Sequence, residues 1–274
     1  MNDPPSRASA ASGARPAPSR SGYQENFTAE AGEASQMYRA QVRTGKAQKI
    51  VAVLQHHLGD PSRLRLLDLS CSTGFMANVF ARHFAEVVGI DIDAGAVAHA
   101  EAHRERDNVS FLTRDALHTG FAPASFDVAI CNHMYEHVPD AAQLFREIWR
   151  VLRPNGVCYF GGNNRLRVVE PHYGPMPFLS WLPRPLAHRY MRLMKKGDHY
   201  YETHFTYWTL RRMLEDFDIV DYTLRVLEQP AAFAALDVVT PGSWGQRLGL
   251  LAGRHLYWAL PGYIWLLVKR PRGS

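Results

Sequence analysis

Cysteine is scarce in this chain of 274 residues: there are three, Cys71, Cys131 and Cys158, with no C-x-x-C pair. An odd set without framework spacing excludes a disulfide scaffold and fits a reducing compartment, so a cytoplasmic protein is expected. Each cysteine falls in or beside an apolar run, where a thiol packs as a small hydrophobe. Excess charge of one sign is also lacking. A formal net charge of +5 and a pI near 9.2 are too mild to imply nucleic-acid binding, and no Lys/Arg run interleaved with aromatics marks a groove. The N-terminus has no apolar core of a secretory signal. The pattern G-x-G-x-x-G is missing too. A dinucleotide pyrophosphate needs such glycines against a helix N-terminus, so an NAD-dependent oxidoreductase is a disfavoured alternative.

What is present begins with Leu64 to Leu69, an apolar run suited to a strand buried on both faces. The small residues Ser70-Cys71-Ser72-Thr73-Gly74 follow, then a helix, then the strand Val87-Val88-Gly89-Ile90-Asp91. Asp91 lies 23 positions after Asp68, close to the roughly 20 that separate a nucleotide-binding loop from the carboxylate that holds ribose hydroxyls. A third strand leads to Thr113-Arg114-Asp115-Ala116, and a fourth is Ser125-Phe126-Asp127-Val128-Ala129-Ile130-Cys131-Asn132. Asp68, Asp91 and Asp115 would thus all stand at carboxyl ends of parallel strands, where open α/β sheets bind ligands. Three carboxylates there suit a cationic ligand better than a diphosphate.

With Tyr135-Glu136-His137-Val138-Pro139-Asp140 and Glu147-Ile148-Trp149-Arg150-Val151-Leu152-Arg153-Pro154-Asn155-Gly156 following in order, the chain resembles the class I S-adenosylmethionine-dependent methyltransferases over roughly Leu64 to Arg165. The resemblance implies a doubly wound, mainly parallel seven-stranded sheet of the Rossmann-like methyltransferase type, with S-adenosyl-L-methionine as cofactor. It implies that Asp68, Ser70, Ser72 and Gly74 line the methionine end, that Asp91 holds the ribose, and that Asp115 and Ala116 meet the adenine. Asn132 and His133 would border the sulfonium. Ser70 and Ser72 stand where the family has glycine, which serves positive φ or close backbone approach. That departure leaves open a second reading, a catalytically silent fold serving as an interaction partner.

The organisation of the rest follows from composition and punctuation. Residues 1–22, rich in Pro, Ala, Ser and Arg, are expected to be a disordered tail, leaving 23–274 as one domain. Helices are expected within Glu33 to Leu58, Thr73 to Phe84, Ala94 to Arg104, Asp140 to Leu152 and Tyr207 to Phe217, and a fifth strand over Val157 to Gly161. Residues 163–206 are too long for an αβ loop and are predicted to be a substrate-cap insertion. Within it, Glu170 to Pro183 holds too many prolines for regular structure, and Pro185 to Lys196 reads as a basic amphipathic helix. Phe178 and Trp181 have two open readings, packing on the sheet or facing an apolar partner.

Methyl transfer from a sulfonium asks the protein mainly to align the nucleophile and take its proton. Histidine suits that proton transfer because its unperturbed pKa lies near neutrality; His133, His137, His172, His199 and His204 are candidates, with His133 favoured by its place after the fourth strand. Glu136-His137 resembles the E-H pair of lipid-modifying methyltransferases, where the glutamate organises the site. The expected activity is metal-independent transfer to oxygen of a small or lipid-linked hydrophobic acceptor, and the sequence is read as offering no ligand set for magnesium or zinc. Leu248 to Val268 is strongly apolar, but Arg254, His255 and Pro261-Gly262 interrupt it, so no membrane span is expected. Gly262 to Val268 is assigned instead to a final antiparallel strand, after a strand near Asp218 to Leu227. Its neighbours, with Trp181 and the basic segment, are expected to support peripheral contact with the inner face of a membrane.

Overall fold

A computed structural model of the chain describes residues 40–170, 172–174 and 176–270. The expected tail over 1–22 lies outside the described residues, as does the start of the first helical segment. Seven strands form one sheet in the order β3-β2-β1-β4-β5-β9-β8. They are β1 (Arg65–Asp68), β2 (Glu86–Asp91), β3 (Val109–Thr113), β4 (Phe126–Asn132), β5 (Leu152–Asn163), β8 (Phe217–Asp221) and β9 (Gly262–Lys269). β1 to β5 run parallel, and β9 lies antiparallel between β5 and β8. The final antiparallel strand and the doubly wound sheet are as the sequence predicts.

Helices α1 (Ala40–Leu58), α2 (Phe75–Phe80), α3 (Ala94–Ala102) and α4 (Ala141–Val151) flank the parallel half. α4 forms where it does because Ala141, Leu144, Phe145, Ile148 and Val151 recur at helical spacing and are all buried, while Asp140 caps its start by accepting the Gln143 N–H at 2.8 Å. The sheet is buried on both faces. Leu67, Phe145, Phe160 and Trp265 belong to one core layer, and Leu54, Leu66, Phe80 and Tyr222 to the other. Burying each such large side chain contributes about 1.5–3 kcal/mol.

Three local expectations differ. The strand near Asp218 to Leu227 stops at Asp221, whose carboxylate accepts the Thr223 N–H at 2.7 Å and turns the chain into helix α7 (Thr223–Glu228). The helix after Thr73 is short, because Gly74 at its N-cap is left-handed and turns follow Phe80. The proline-rich segment is not free of regular structure: a small hairpin pairs β6 (Val169–Glu170) with β7 (Met176–Pro177), and a 3-10 turn covers Leu179–Trp181. Next in the chain come α5 (Arg184–Leu193) and α6 (Tyr207–Met213), and later α8 (Trp244–His255). Phe178 and Trp181 do not pack on the sheet; they are 48% and 44% exposed and meet edge to face at 5.1 Å. Among the described residues no helix is long and apolar enough to cross a membrane.

Candidate active site

The carboxyl ends of β1, β2 and β4 and the loop after β3 collect the residues that the motifs single out. Asp68 ends β1 and is buried. Its Oδ1 lies 3.4 Å from the Ser70 N–H, while Oδ2 is buried with no hydrogen-bond partner among the described residues. Burial pushes the Asp68 carboxyl up to about 7, reinforced by Asp91 and opposed by the Ser70 N–H and Arg43. Asp91 ends β2 and holds two backbone groups, accepting the Ser72 N–H at 2.8 Å on Oδ2 and the Asp93 N–H at 3.0 Å on Oδ1. Its pKa is also raised by burial. Ser72 adopts φ +49° and Gly74 φ +82°, so this serine takes the left-handed conformation that glycine usually supplies. Ser72 Oγ is buried without a hydrogen-bond partner among the described residues. Buried polar atoms are seldom left unpaired. The two orphaned oxygens beside Asp91 are therefore what a cationic, hydroxyl-bearing ligand would satisfy, and the loop fits the cofactor that the motifs imply.

Asp115 and Ala116 sit just past β3, where Asp115 Oδ1 accepts the Leu117 N–H at 2.7 Å and the Arg114 N–H donates to the Asp91 carbonyl at 2.9 Å. Sequence reasoning missed Arg43 on α1. Its half-buried guanidinium acts on both Asp68 and Asp91, and burial lowers its own pKa. A single cation in a helix before the first strand carries no motif, so only the packing of α1 over the loop identifies it.

At the carboxyl end of β4, Asn132 is the last strand residue and His133 follows with φ +52°, its N–H donating to Gly161 O at 2.7 Å. His133 remains 43% exposed, with Nδ1 3.6 Å from Glu136 Oε1. Glu136 is fully buried and accepts the Asn163 Nδ2–H at 2.9 Å on the same oxygen; Oε2 has no hydrogen-bond partner among the described residues. Burial opposes ionisation of Glu136, yet His133, His137 and His204 outweigh it and hold the carboxyl down at about 2. Glu136 is thus a buried carboxylate favoured as the anion, with the His133 ring beside it. His137 closes the 3-10 turn Tyr135–His137 and faces His172 edge-on at 5.2 Å.

The inserted segment brings a second polar cluster that sequence spacing does not reveal. Glu170, Glu202 and His204 are buried. Tyr173 donates to Glu202 at 2.6 Å, and Tyr200 to Glu170 at 3.0 Å. The expectation that no metal-ligand set exists therefore needs revision: two groups have ligand atoms within 4.8 Å of one another, Glu136-His137-His172 and Glu170-His172-His204. The members come from three chain segments, which no local motif could signal. His199, by contrast, stacks on Tyr201 and stays on the surface.

Comparison with known proteins agrees with this fold. Residues 67–160 match the family model of the methyltransferase domain. The chain is 33% identical over 144 residues to the ubiquinone biosynthesis O-methyltransferase of Paracidovorax citrulli, covering 49% of this chain and 58% of that protein. It is 31% identical over 154 residues to its counterpart in Albidiferax ferrireducens, covering 52% and 59%. The chain thus spans less than two thirds of the length of these relatives. The fold resembles that of an S-adenosylmethionine-dependent methyltransferase from Mesorhizobium loti, with a TM-score of 0.52 at 17% identity over 81% of this chain and 98% of the other. It is equally close to the plantazolicin methyltransferase BpumL, with a TM-score of 0.52 at 16% identity over 85% of each. Residues 67–160 thus match a methyltransferase domain, and the sheet that carries them has the fold of these methyltransferase neighbours.

Proposed function

We propose that the chain transfers a methyl group from S-adenosylmethionine to a hydroxyl oxygen of a hydrophobic, lipid-linked acceptor. The observation that carries the reading is the pair of orphaned buried oxygens, Asp68 Oδ2 and Ser72 Oγ, beside Asp91 at the carboxyl ends of β1 and β2. Asp68 would hold the cofactor's ammonium, Asp91 its ribose, Asp115 and Ala116 its adenine. When bound, the cofactor supplies a methyl already activated by its sulfonium. The chain's own task is then to align the acceptor oxygen and remove its proton. His133, partly exposed and backed by the Glu136 anion, takes that proton at Nε2, the ring nitrogen away from Glu136; Glu136 acts through His133 as a positioning residue. The left-handed Ser72 argues against the silent-fold alternative, since the loop keeps its shape without the usual glycine.

The acceptor class is supported by the relatives' place in ubiquinone biosynthesis and by the cap. Phe178, Trp181, Leu186 and Leu193 are exposed, next to the exposed Arg184, Arg189 and Arg192 of α5. An apolar surface rimmed by cations suits a polyprenyl tail at an anionic membrane. The test presents a polyprenylated catechol in anionic liposomes to the purified chain with methyl-labelled cofactor. Expected are flotation of the protein with the vesicles and a labelled methyl ether. His133→Gln should lower kcat/KM roughly 10²–10⁴-fold with S-adenosylhomocysteine affinity unchanged. Affinity for S-adenosylhomocysteine without transfer to any catechol would return the reading to a silent fold.

Cofactor binding should also depend on pH through Asp68. Its folded pKa of about 7 lies above the ordinary carboxylate value, so its contribution to stability is present in acid and lost as pH rises through about 7. Ligand binding runs the other way, because an ammonium needs the ionised carboxylate. Affinity for S-adenosylhomocysteine should rise roughly tenfold from pH 6 to pH 8, following the ionised fraction. Calorimetry in two buffers of different ionisation enthalpy should detect a released proton at pH 6; equal affinities at both pH values would remove Asp68 from the ammonium site.

A further inference from the structure

The inserted segment begins after β5 and returns to the sheet at α6, and its polar cluster is not absorbed by methyl transfer. Glu170 lies on β6, His172 just after it, and His204 ahead of α6. His172 Nδ1 is 2.6 Å from Glu170 Oε1, and His204 Nε2 is 3.3 Å from Glu170 Oε2. The three donor atoms all lie within 4.8 Å of one another. A tetrahedral ion with bonds of about 2.0–2.1 Å places its ligand atoms roughly 3.3 Å apart, inside that range.

Two observations point to a missing ligand rather than a closed hydrogen-bond network. The His204 side chain is 1% exposed, yet neither Nδ1 nor Nε2 makes a hydrogen bond among the described residues, despite the short approach to Glu170. Three carboxylates also crowd it: Glu136, Glu170 and Glu202 are each 2% exposed or less, and all three act on both His172 and His204. Buried carboxylates at such density are stable when paired or when they coordinate a metal. Tyr200 donates to Glu170 Oε2 at 3.0 Å, an outer-shell bond of the kind that orients a coordinating carboxylate.

We propose that Glu170, His172 and His204 bind a divalent transition-metal ion of the zinc type, which fastens the two ends of the inserted segment together over the active site. Two imidazoles and one carboxylate are a donor set that zinc and cobalt favour over magnesium or calcium. The ion joins a hairpin to the segment entering α6, and the transfer chemistry needs no direct part from it. The inference stands independently of the methyl-transfer reading.

The test titrates the full-length chain, freed of metal by chelator dialysis, with Co²⁺ and then Zn²⁺. Expected are uptake of one equivalent of Co²⁺ with the intense visible bands of a low-coordinate site, displacement by Zn²⁺, and slower proteolysis within residues 163–206 once metal is bound. His172→Gln, partly exposed and so tolerant of change, should abolish stoichiometric uptake, as should His204→Gln. Tyr200→Phe should weaken it roughly 10–100-fold. Circular dichroism and S-adenosylhomocysteine binding, measured on the same samples, report folding and the cofactor site separately. Absence of stoichiometric uptake by the wild-type chain overturns the proposal, and so does uptake that survives both histidine variants.

Discussion

Asp91→Ala is expected to abolish measurable S-adenosylhomocysteine binding. The carboxylate would accept both ribose hydroxyls in charge-assisted bonds, each contributing about 1.5–3 kcal/mol. Losing both costs about 3–6 kcal/mol, or two to four orders of magnitude in affinity. The substitution also frees the Ser72 and Asp93 N–H groups that the carboxylate now holds at 2.8 and 3.0 Å, so the loop loses its anchor along with the ligand. Asp91→Asn separates the two effects, because the amide keeps the side chain's shape but removes its charge and one acceptor. Titration calorimetry on protein that circular dichroism shows to be folded decides the matter. An alanine variant within threefold of wild type would take Asp91 out of the site.

Gly74→Ala should cause a large loss of stability. Gly74 has φ +82°, and a Cβ there would stand 2.7 Å from Ala100 Cβ, 3.0 Å from Phe111 Cζ and 3.1 Å from Ala100 Cα. Left-handed backbone costs an L-residue about 1–2 kcal/mol, and forcing a methyl into a filled site adds about 1–3 kcal/mol. Ala100 cannot swing aside, since one of the atoms met is backbone. The sum of about 2–5 kcal/mol corresponds to a fall in Tm of about 4–20 °C. Gly59→Ala is the matched control: φ is +75° but none of the described residues lies within 4 Å of the added methyl, so only the strain should be seen. If both variants melt within a degree of each other, the close packing of α3 against the cofactor loop is not what glycine serves at 74.

The parallel half of the fold was legible in the sequence because its signals are local. β1 and β4 are continuous apolar runs with both faces buried, and Asp93 and Asp140 cap the helices that they precede. The placement of Asp68, Asp91 and Asp115 at or just past the carboxyl ends of their strands was legible for the same reason. Where the strand near Asp218 was expected to run on, a side chain rather than a pattern decided the outcome. Asp221 ends β8 by binding Thr223, whereas apolarity alone would carry the strand onward.

Arg43 and the cluster of Glu170, Glu202 and His204 were not legible, since each depends on an approach between segments far apart in the chain. The same holds for the electrostatics. No motif raises Asp68 to about 7 or holds Glu136 at about 2; burial and the placement of neighbouring charges do that. Sequence periodicity and turn chemistry by themselves determined the alternation of strands and helices, and so which residues reach the carboxyl edge of the sheet. Tertiary structure alone decided what surrounds them there, because desolvation and Coulomb interaction depend on distances through space that separation along the chain does not encode.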